Sequence, residues 1–491
     1  MVMDRQPDTL RGESLSGPRG PALPIVAVAG LMMAVSFVCM ALVGDLRGNI
    51  PLFLVLYGAA YLAYWVAVWS ILRQPQPRLA LPIVLGAAVA FRIVLLFTTP
   101  PTLSDDVYRY IWDGRVFNAG VNPYARTVDS PDLDWLDSAQ RALVNNSWMA
   151  SPYLPVAQVL SAAVYRIVPD SPLAFQVTAV VLDLVAGCLV VDLLGRVGLP
   201  RVFGLIYYWN PLVVVECAHG AHVVDALMIN LMMAALWVLV ACRSRLLSAV
   251  LLAAATLTKG LPVLLLPLLV RRWRVGPTLL YGSLLVAACA VFALGAGWGL
   301  TGPLDGEGVF GALRIYAAYW NYNGGVYHWL EVLLSGHATP GAVLPDVVGW
   351  RPIAIAKGIV GIAQLVVLVA VWHKVRGRDD DVSLLKLAVV PVGAYLLLAT
   401  TVHPWYVMLL VPLLPFLAVR GTREAGENCR IWPWLYFAAA VSLSYLTYLD
   451  PANLREYDTV RLLEYVPLYL LLLWSVWPAS VRAGRAGTGR A

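Results

Sequence analysis

Apolar stretches of roughly one bilayer's length recur along this chain, and they restrict its fold more than any other feature. They run at about 25–44, 51–72, 79–98, 173–194, 203–218, 222–241, 246–257, 260–270, 277–297, 353–373, 384–400, 404–420, 432–449 and 463–479. A helix needs about 20 mostly apolar residues to cross the hydrocarbon core. Inside lipid, only helices and closed barrels satisfy their own backbone. Charged residues are 13% of the sequence, against roughly 25% in a soluble domain, so a mainly soluble protein is excluded. The expectation is an all-α polytopic membrane protein with about 13–14 transmembrane helices. Residues 24–479 would be one integral-membrane domain, flanked by a disordered cytoplasmic tail at 1–23 and a cytoplasmic tail at 480–491. The first apolar run lacks a cleavage pattern and reads as an anchor rather than a signal peptide.

Two placements settle the threading. Pro152–Val168 carries Pro152, Pro155, Gln158 and Arg166 and reads as interfacial or re-entrant. Thr258-Lys259-Gly260 divides 246–270 into two pieces, each too short to cross. With these choices the Arg-rich segments at 73–78, 196–201, 243–245, 271–274, 374–378, 420–430 and 482–490 share one side with the N-terminus. By the positive-inside rule that side is cytoplasmic. The other side receives the loops 99–172 and 298–352 and five of the six histidines, His219, His222, His328, His337 and His403. Six cysteines without a CxxC or Cys/His spacing suggest neither a disulfide framework nor a zinc site.

The segment Ser104-Asp105-Asp106-Val107-Tyr108-Arg109-Tyr110-Ile111-Trp112-Asp113-Gly114-Arg115 follows directly on an apolar run. Ser104 or Asp105 can cap a helix that begins near Asp106. On that helix Asp106, Arg109, Tyr110 and Asp113 share one face. Such residues could form only a cap and a surface ion pair. At a membrane boundary, however, a carboxylate among basic and aromatic groups suits a general base, with arginines holding an anionic leaving group. Farther on, Leu133, Leu136, Ala139 and Leu143 form a stripe that predicts an amphipathic helix on the membrane surface.

Arg92, Asp183, Asp192 and Glu216 lie within or at the ends of apolar runs, where an ionisable group is costly unless paired or wetted. Glu216, His219, His222 and Asp225 form a corner after Trp209-Asn210-Pro211. Two histidines with carboxylates could take a divalent metal, with Asp105 and Asp106 as further ligands beside His222, but the spacing is no zinc signature. Hydrogen bonding to a sugar or phosphate fits these residues better. Lys259 suits a phosphate. His403-Pro404-Trp405-Tyr406 is either an interface belt or a stacking surface for a sugar ring. Residues 320–329, including His328, alternate aromatics with amides, as carbohydrate binding requires.

These residues resemble the GT-C superfamily of integral-membrane glycosyltransferases, in particular the bacterial polyprenyl-phosphate-mannose-dependent mannosyltransferases. The resemblance rests on Arg92, the 104–115 motif, Gly120-Val121-Asn122-Pro123-Tyr124, Asn210-Pro211, Glu216, His222, Asp225, Lys259 and His403-Pro404-Trp405-Tyr406, and spans about 80–420. It implies a large outer loop with an acidic catalytic residue, and a lipid-phosphate sugar donor. Asp105 and Asp106 match the acidic positions, and Asp106 is favoured for the face it shares with Arg109 and Asp113. Arg92, Arg109, Arg115 and Lys259 would hold the donor phosphate. Asp113, Tyr110, Glu216, His219, His222, Asp225, His328, His403, Trp405 and Tyr406 would hold sugar and acceptor. The expected activity moves a hexose, mannose first, to a glycan or lipid-linked acceptor with inversion, on the outer face of the bacterial inner membrane. Divalent-cation dependence stays open. The competing expectation is a transporter or lipid flippase that uses Asp183, Arg92 and Asp192 as an ion relay.

Overall fold

A computed structural model describes residues 22–73, 80–295, 307–335, 350–419 and 428–476. The tails and much of 298–352, including His337, lie outside the described residues. All regular structure among the described residues is helical, with isolated bridges from Tyr322 and Asn323 to Thr401. The chain is a multi-pass membrane protein, and eight of its described helices are long and apolar enough to cross a membrane.

The helices α1 (Ala22–Val43), α2 (Ile50–Arg73) and α3 (Ala80–Leu96) pack as neighbours. Next, α4 (Asp106–Asn118) and α5 (Pro155–Ile167) pack against each other in the long connection that follows α3. At 13 residues α5 is too short to cross. Gly114 permits this packing, because a Cβ there would lie 2.5 Å from the Ser161 carbonyl oxygen. The long α6 (Pro172–Arg196) is followed by the short helices α7 (Leu205–Tyr208) and α8 (Pro211–Ala218). The break between the last two follows from Asn210, whose side chain caps the N–H of Leu212, and from Pro211 at the first helical position.

Beyond it run α9 (Val223–Ala241), α10 (Arg245–Thr256), α11 (Leu266–Trp273), α12 (Val275–Gly295), α13 (Gly311–Tyr319) and α14 (Val326–Ser335). Further spans are Trp350–Lys374, Asp381–Leu398 and Asp458–Val476. The stretches Pro404–Leu417 and Trp432–Leu449 are partly 3₁₀ in form. Pro412 and Pro415 account for the first of these, since neither can donate a ladder hydrogen bond.

Among the described residues each of the fourteen apolar stretches therefore coincides with helix, but several are broken. Broken helices survive in a membrane only where protein re-satisfies the freed polar groups. Around the α7–α8 break the Tyr64 hydroxyl donates to the Ile206 carbonyl at 2.7 Å. Trp209 Nε1 donates to the Val84 carbonyl at 2.9 Å. At the 258–260 break, α10 and α11 turn back on each other. Arg243 and Arg272 then reach the same carboxylate, Asp381, at 2.9 and 3.2 Å.

The predicted surface helix over 132–143 is not present. The segment forms two 3₁₀ turns, Pro131–Leu136 and Arg141–Leu143. A 3₁₀ turn repeats every three residues, which buries Leu133 and Leu136 while Ala139 and Leu143 are exposed and Val144 is buried instead.

Candidate active site

The connections after α1, α3 and α10 converge with 145–154, 313–322, 403–406 and 445–456 around a cavity of about 1160 Å³. The helix α4 begins at its wall. Ser104 Oγ accepts from the Asp106 N–H at 3.3 Å, so Ser104 helps seat the helix start. Asp105 occupies the cap position without a side-chain cap bond; its carboxylate turns instead to Arg47 at 3.0 Å. Asp106 faces the cavity and accepts from Asn145 Nδ2 at 3.2 Å.

The other residues of the expected α4 face have different roles. Arg109 is 2% exposed and makes no ion pair with Asp106. It donates to the carbonyls of Met149, Asn145 and Asn146 at 3.1, 3.2 and 2.9 Å, which fixes the segment that presents Asn145. Asp113 is buried and accepts from Ser151 and from Gln158, the latter at 3.2 Å. Burial pushes its carboxyl up to about 6, against the pull of Arg109 and its hydrogen bonds. Tyr110 is sealed against Tyr153. Arg115 pairs with Asp170 at 2.8 Å, outside the cavity lining.

Arg92 does not reach the cavity either. It forms a buried ion pair with Asp183 and donates to the carbonyls of Ala88 and Tyr208, each at 2.9 Å. Tyr207 donates to the other Asp183 oxygen at 2.6 Å. Asp192 sits near the end of α6 with Arg196 and accepts from Trp237 at 2.7 Å.

Lys259, in the helix break, does line the cavity. Its ammonium lies 2.6 Å from Asp225 and 4.1 Å from the ring centre of Tyr406. Asp225 is thereby a partner of Lys259 rather than part of the lining. His403 and Trp405 stack face to face with centroids 4.4 Å apart, with Tyr322 beyond His403 at 4.5 Å and His222 beyond Trp405 at 4.1 Å. Four rings thus run in one column from the cavity wall inward. His222 is buried, with Nδ1 4.0 Å from Asp106 and Nε2 3.2 Å from Glu216.

His219 braces the turn before α4, with Nδ1 2.6 Å from the Thr98 hydroxyl and Nε2 accepting from the Thr102 N–H at 3.2 Å. His328 lies off the cavity, 3.0 Å from Asp458 and 3.1 Å from Arg461. Among the described residues no group of three or more His, Cys, Asp or Glu side chains could hold a metal ion. Asp105, Asp106 and His222 therefore do not close into a ligand set.

The structure also adds residues that the sequence reading passed over. Arg47 lines the cavity over the ring of Tyr448, at 4.6 Å. Its signal was available, as an arginine in the first connection on the side where basic residues are otherwise few. Asn145, Tyr316, Tyr445 and Tyr448 also line the space. Tyr445 and Tyr448 recur three residues apart at the end of an apolar run, which a search for hydroxyl-bearing rings at helix ends would have found.

A family model described as "Alpha-(1->6)-mannopyranosyltransferase, N-terminal domain", of the MptA/B family, matches residues 23–275. No curated protein matches the chain.

Proposed function

The chain belongs to the MptA/B family of alpha-(1->6)-mannopyranosyltransferases, and we propose that it transfers mannose from a polyprenyl-phosphate donor to a glycan hydroxyl in the cavity, with Asp106 as general base. It is a membrane mannosyltransferase, and its substrates are accordingly a mannose donor and a glycan acceptor. We read residues 24–479 as one integral domain, a reading supported by cavity walls drawn from Arg47 through Glu456.

One observation carries the choice of base. Of the two adjacent carboxylates, Asp105 is closed by a guanidinium, while Asp106 faces the cavity with only an amide donor on one oxygen. A carboxylate without a salt bridge is free to accept the proton of an attacking hydroxyl. The hydroxyl oxygen bonds to the anomeric carbon as the bond to phosphate breaks, and its proton goes to Asp106. Inversion to an α product requires a β-linked donor. The phosphate leaves as an anion, for which Lys259 and Arg47 are the cavity's cations. Arg92, Arg109 and Arg115 are occupied elsewhere and are no part of this proposal. His403, Trp405 and Tyr406 line the cavity where a sugar ring would lie, with the faces of His403 and Trp405 held within the ring column.

The donor assignment follows from orientation. Asp381 gathers Arg243 and Arg272 at the far end of α9, about 28 Å from the cavity by helix rise. We take that basic end as cytoplasmic, which sets the cavity on the outer face of the bacterial inner membrane. Nucleotide sugars are absent there, so the donor must travel in the lipid. The alternative, an ion-coupled transporter or flippase, needs accessible charges at mid-membrane; the sealing of Arg92 on Asp183 favours the enzyme.

Purified protein incubated with polyprenyl-phosphate mannose, glucose and arabinose, and with nucleotide sugars, tests this reading. Transfer from the polyprenyl-phosphate mannose donor, lost in Asp106→Asn, is the expected result. Transfer only from nucleotide sugars would overturn the donor assignment. Labelling of Asn453→Cys by an impermeant maleimide tests the face.

A further inference from the structure

Behind Asp106 lies a histidine that this reaction does not yet employ. His222 has 0% side-chain exposure, and neither of its ring nitrogens has a hydrogen-bond partner among the described residues. Two buried, unmatched ring nitrogens are costly, and that cost is removed if they are matched when the site works. Nδ1 lies 4.0 Å from Asp106 Oδ2 and Nε2 3.2 Å from Glu216 Oε2, close enough that a small shift would align either pair. Glu216 is equally sealed, and its other oxygen accepts from the Tyr445 hydroxyl at 2.8 Å. Tyr445 itself lines the cavity.

The surroundings hold this line in place. Trp405 stacks on the imidazole at an interplanar angle of 19°. Gly220 lets the corner close, since a Cβ there would lie 2.8 Å from His222 Cδ2 and 3.0 Å from Glu216 Oε2. Ala221 adopts φ +55°, a left-handed conformation that non-glycine residues enter at a cost, and such strain collects at functional sites. The titratable neighbours of His222 are Asp106, Glu216 and His219, with His403 beyond Trp405 and Lys259 beside His403.

This inference rests on Asp106 as the base. We infer that His222, backed by Glu216, is a positioning residue that clears from Asp106 the proton left there by each transfer. A glycan that fills the cavity shields Asp106 from bulk water, so the protonated base needs another exit. Asp106 gives its proton to His222 Nδ1, and the Nε2 proton stays on the ring beside Glu216. The imidazolium then lies between two carboxylates. When the product leaves and water enters the cavity, the proton returns from Nδ1 through Asp106 to that water, which restores neutral His222 with its Nε2–H intact and ionised Asp106.

The test uses the full chain, with His222→Gly, His222→Phe and His222→Gln assayed for mannosyl transfer. Each is expected to lower kcat on the order of 10²-fold while KM for donor and acceptor stays unchanged. Added imidazole restores kcat in His222→Gly and not in His222→Phe, whose ring fills the space. Glu216→Gln is expected to displace the acidic limb of the kcat–pH profile. If His222→Gly does not fold, His222→Gln carries the test, because its amide fills the site and cannot take a proton. Native kcat in His222→Gln overturns the inference. So does a loss wholly in KM, or a folded His222→Gly whose turnover imidazole leaves unchanged. If Asp106→Asn turns over normally, the base assignment itself fails. If Asp106→Asn is inactive while the His222 variants are normal, only the relay fails.

Discussion

Arg92 and Asp183, 91 residues apart in sequence, form an ion pair with 0% and 1% side-chain exposure between α3 and α6. Removing one partner leaves an uncompensated buried charge, which costs about 3–5 kcal/mol. Arg92→Leu or Asp183→Leu alone is therefore expected to lower the unfolding temperature in detergent sharply. The double variant should lose much less than the sum, because an apolar pair replaces the ions. Donor KM in the stable double variant should be native, since neither residue lines the cavity. A raised donor KM would return Arg92 to the binding site.

Asp106→Asn removes the proposed base but keeps the shape and the neighbouring Asn145. Transfer should fall by about 10²–10⁴-fold, with donor affinity retained. Asp105→Asn should act more weakly and through Arg47, appearing mainly in donor KM. The opposite ranking, with Asp105→Asn the more damaging in kcat, would exchange their roles.

Lys259→Met is expected to raise donor KM by about 10- to 100-fold, the loss of one charge-assisted phosphate contact worth about 1.5–3 kcal/mol. The substitution also strands Asp225, whose side chain is 2% exposed. Adding Asp225→Asn should recover stability without recovering donor KM. Thermal unfolding and initial rates on the same preparations separate the two effects.

Asp113 gives a pH signature. Its folded carboxyl is raised to about 6 from 3.8, so between those values the folded chain holds a proton that the unfolded chain has released. Stability from this group is full below about pH 4, falls as pH rises to about 6, and is constant above, a span on the order of 3 kcal/mol. Asp113→Asn should therefore be more favourable, relative to the native chain, at pH 8 than at pH 4. Unfolding temperatures at the two pH values give the comparison; equal differences would place the carboxyl at its ordinary value.

Gly220→Ala brings a methyl carbon to 2.8 Å from the Glu216 carbonyl oxygen and from His222 Cδ2. The backbone oxygen cannot move away cheaply, so the corner must open. Turnover should drop as in the His222 variants, while Gly260→Ala, with open space around its Cβ position, should retain the fold. Unfolding midpoints and kcat for the two variants make the comparison.

What the sequence makes legible is local. Apolar length places all fourteen helical stretches, and Pro-Pro followed by Ser104-Asp105 places the start of α4. The break at Lys259 is readable because Gly260 and Pro262 end one helix and delay the next. The partner of Arg92 is not readable, because nothing near it in sequence names Asp183. The four residues expected on one face of α4 do share it, yet only Asp106 sees the cavity. Arg109, Tyr110 and Asp113 are covered by 145–158, a segment whose path is set by tertiary packing rather than by period. Over 131–143 the period is three rather than 3.6, which leaves Leu143 exposed. The only signal for Arg47 is its place on the side where basic residues are few, with no motif around it to name a role.

The two walls of the cavity come from different lengths of chain. Arg47, Asp105, Asp106 and Lys259 precede residue 275, together with the rings of Trp148 and Tyr153, while the rings of Tyr316, Trp320, Tyr322, Trp405, Tyr406, Tyr445 and Tyr448 follow it with Glu456. On the proposed mechanism, proton handling then falls to the first length of chain and most of the ring surface to the second. Exchange of the second half between related chains should change which glycan is elongated and leave the bond-making step as it was.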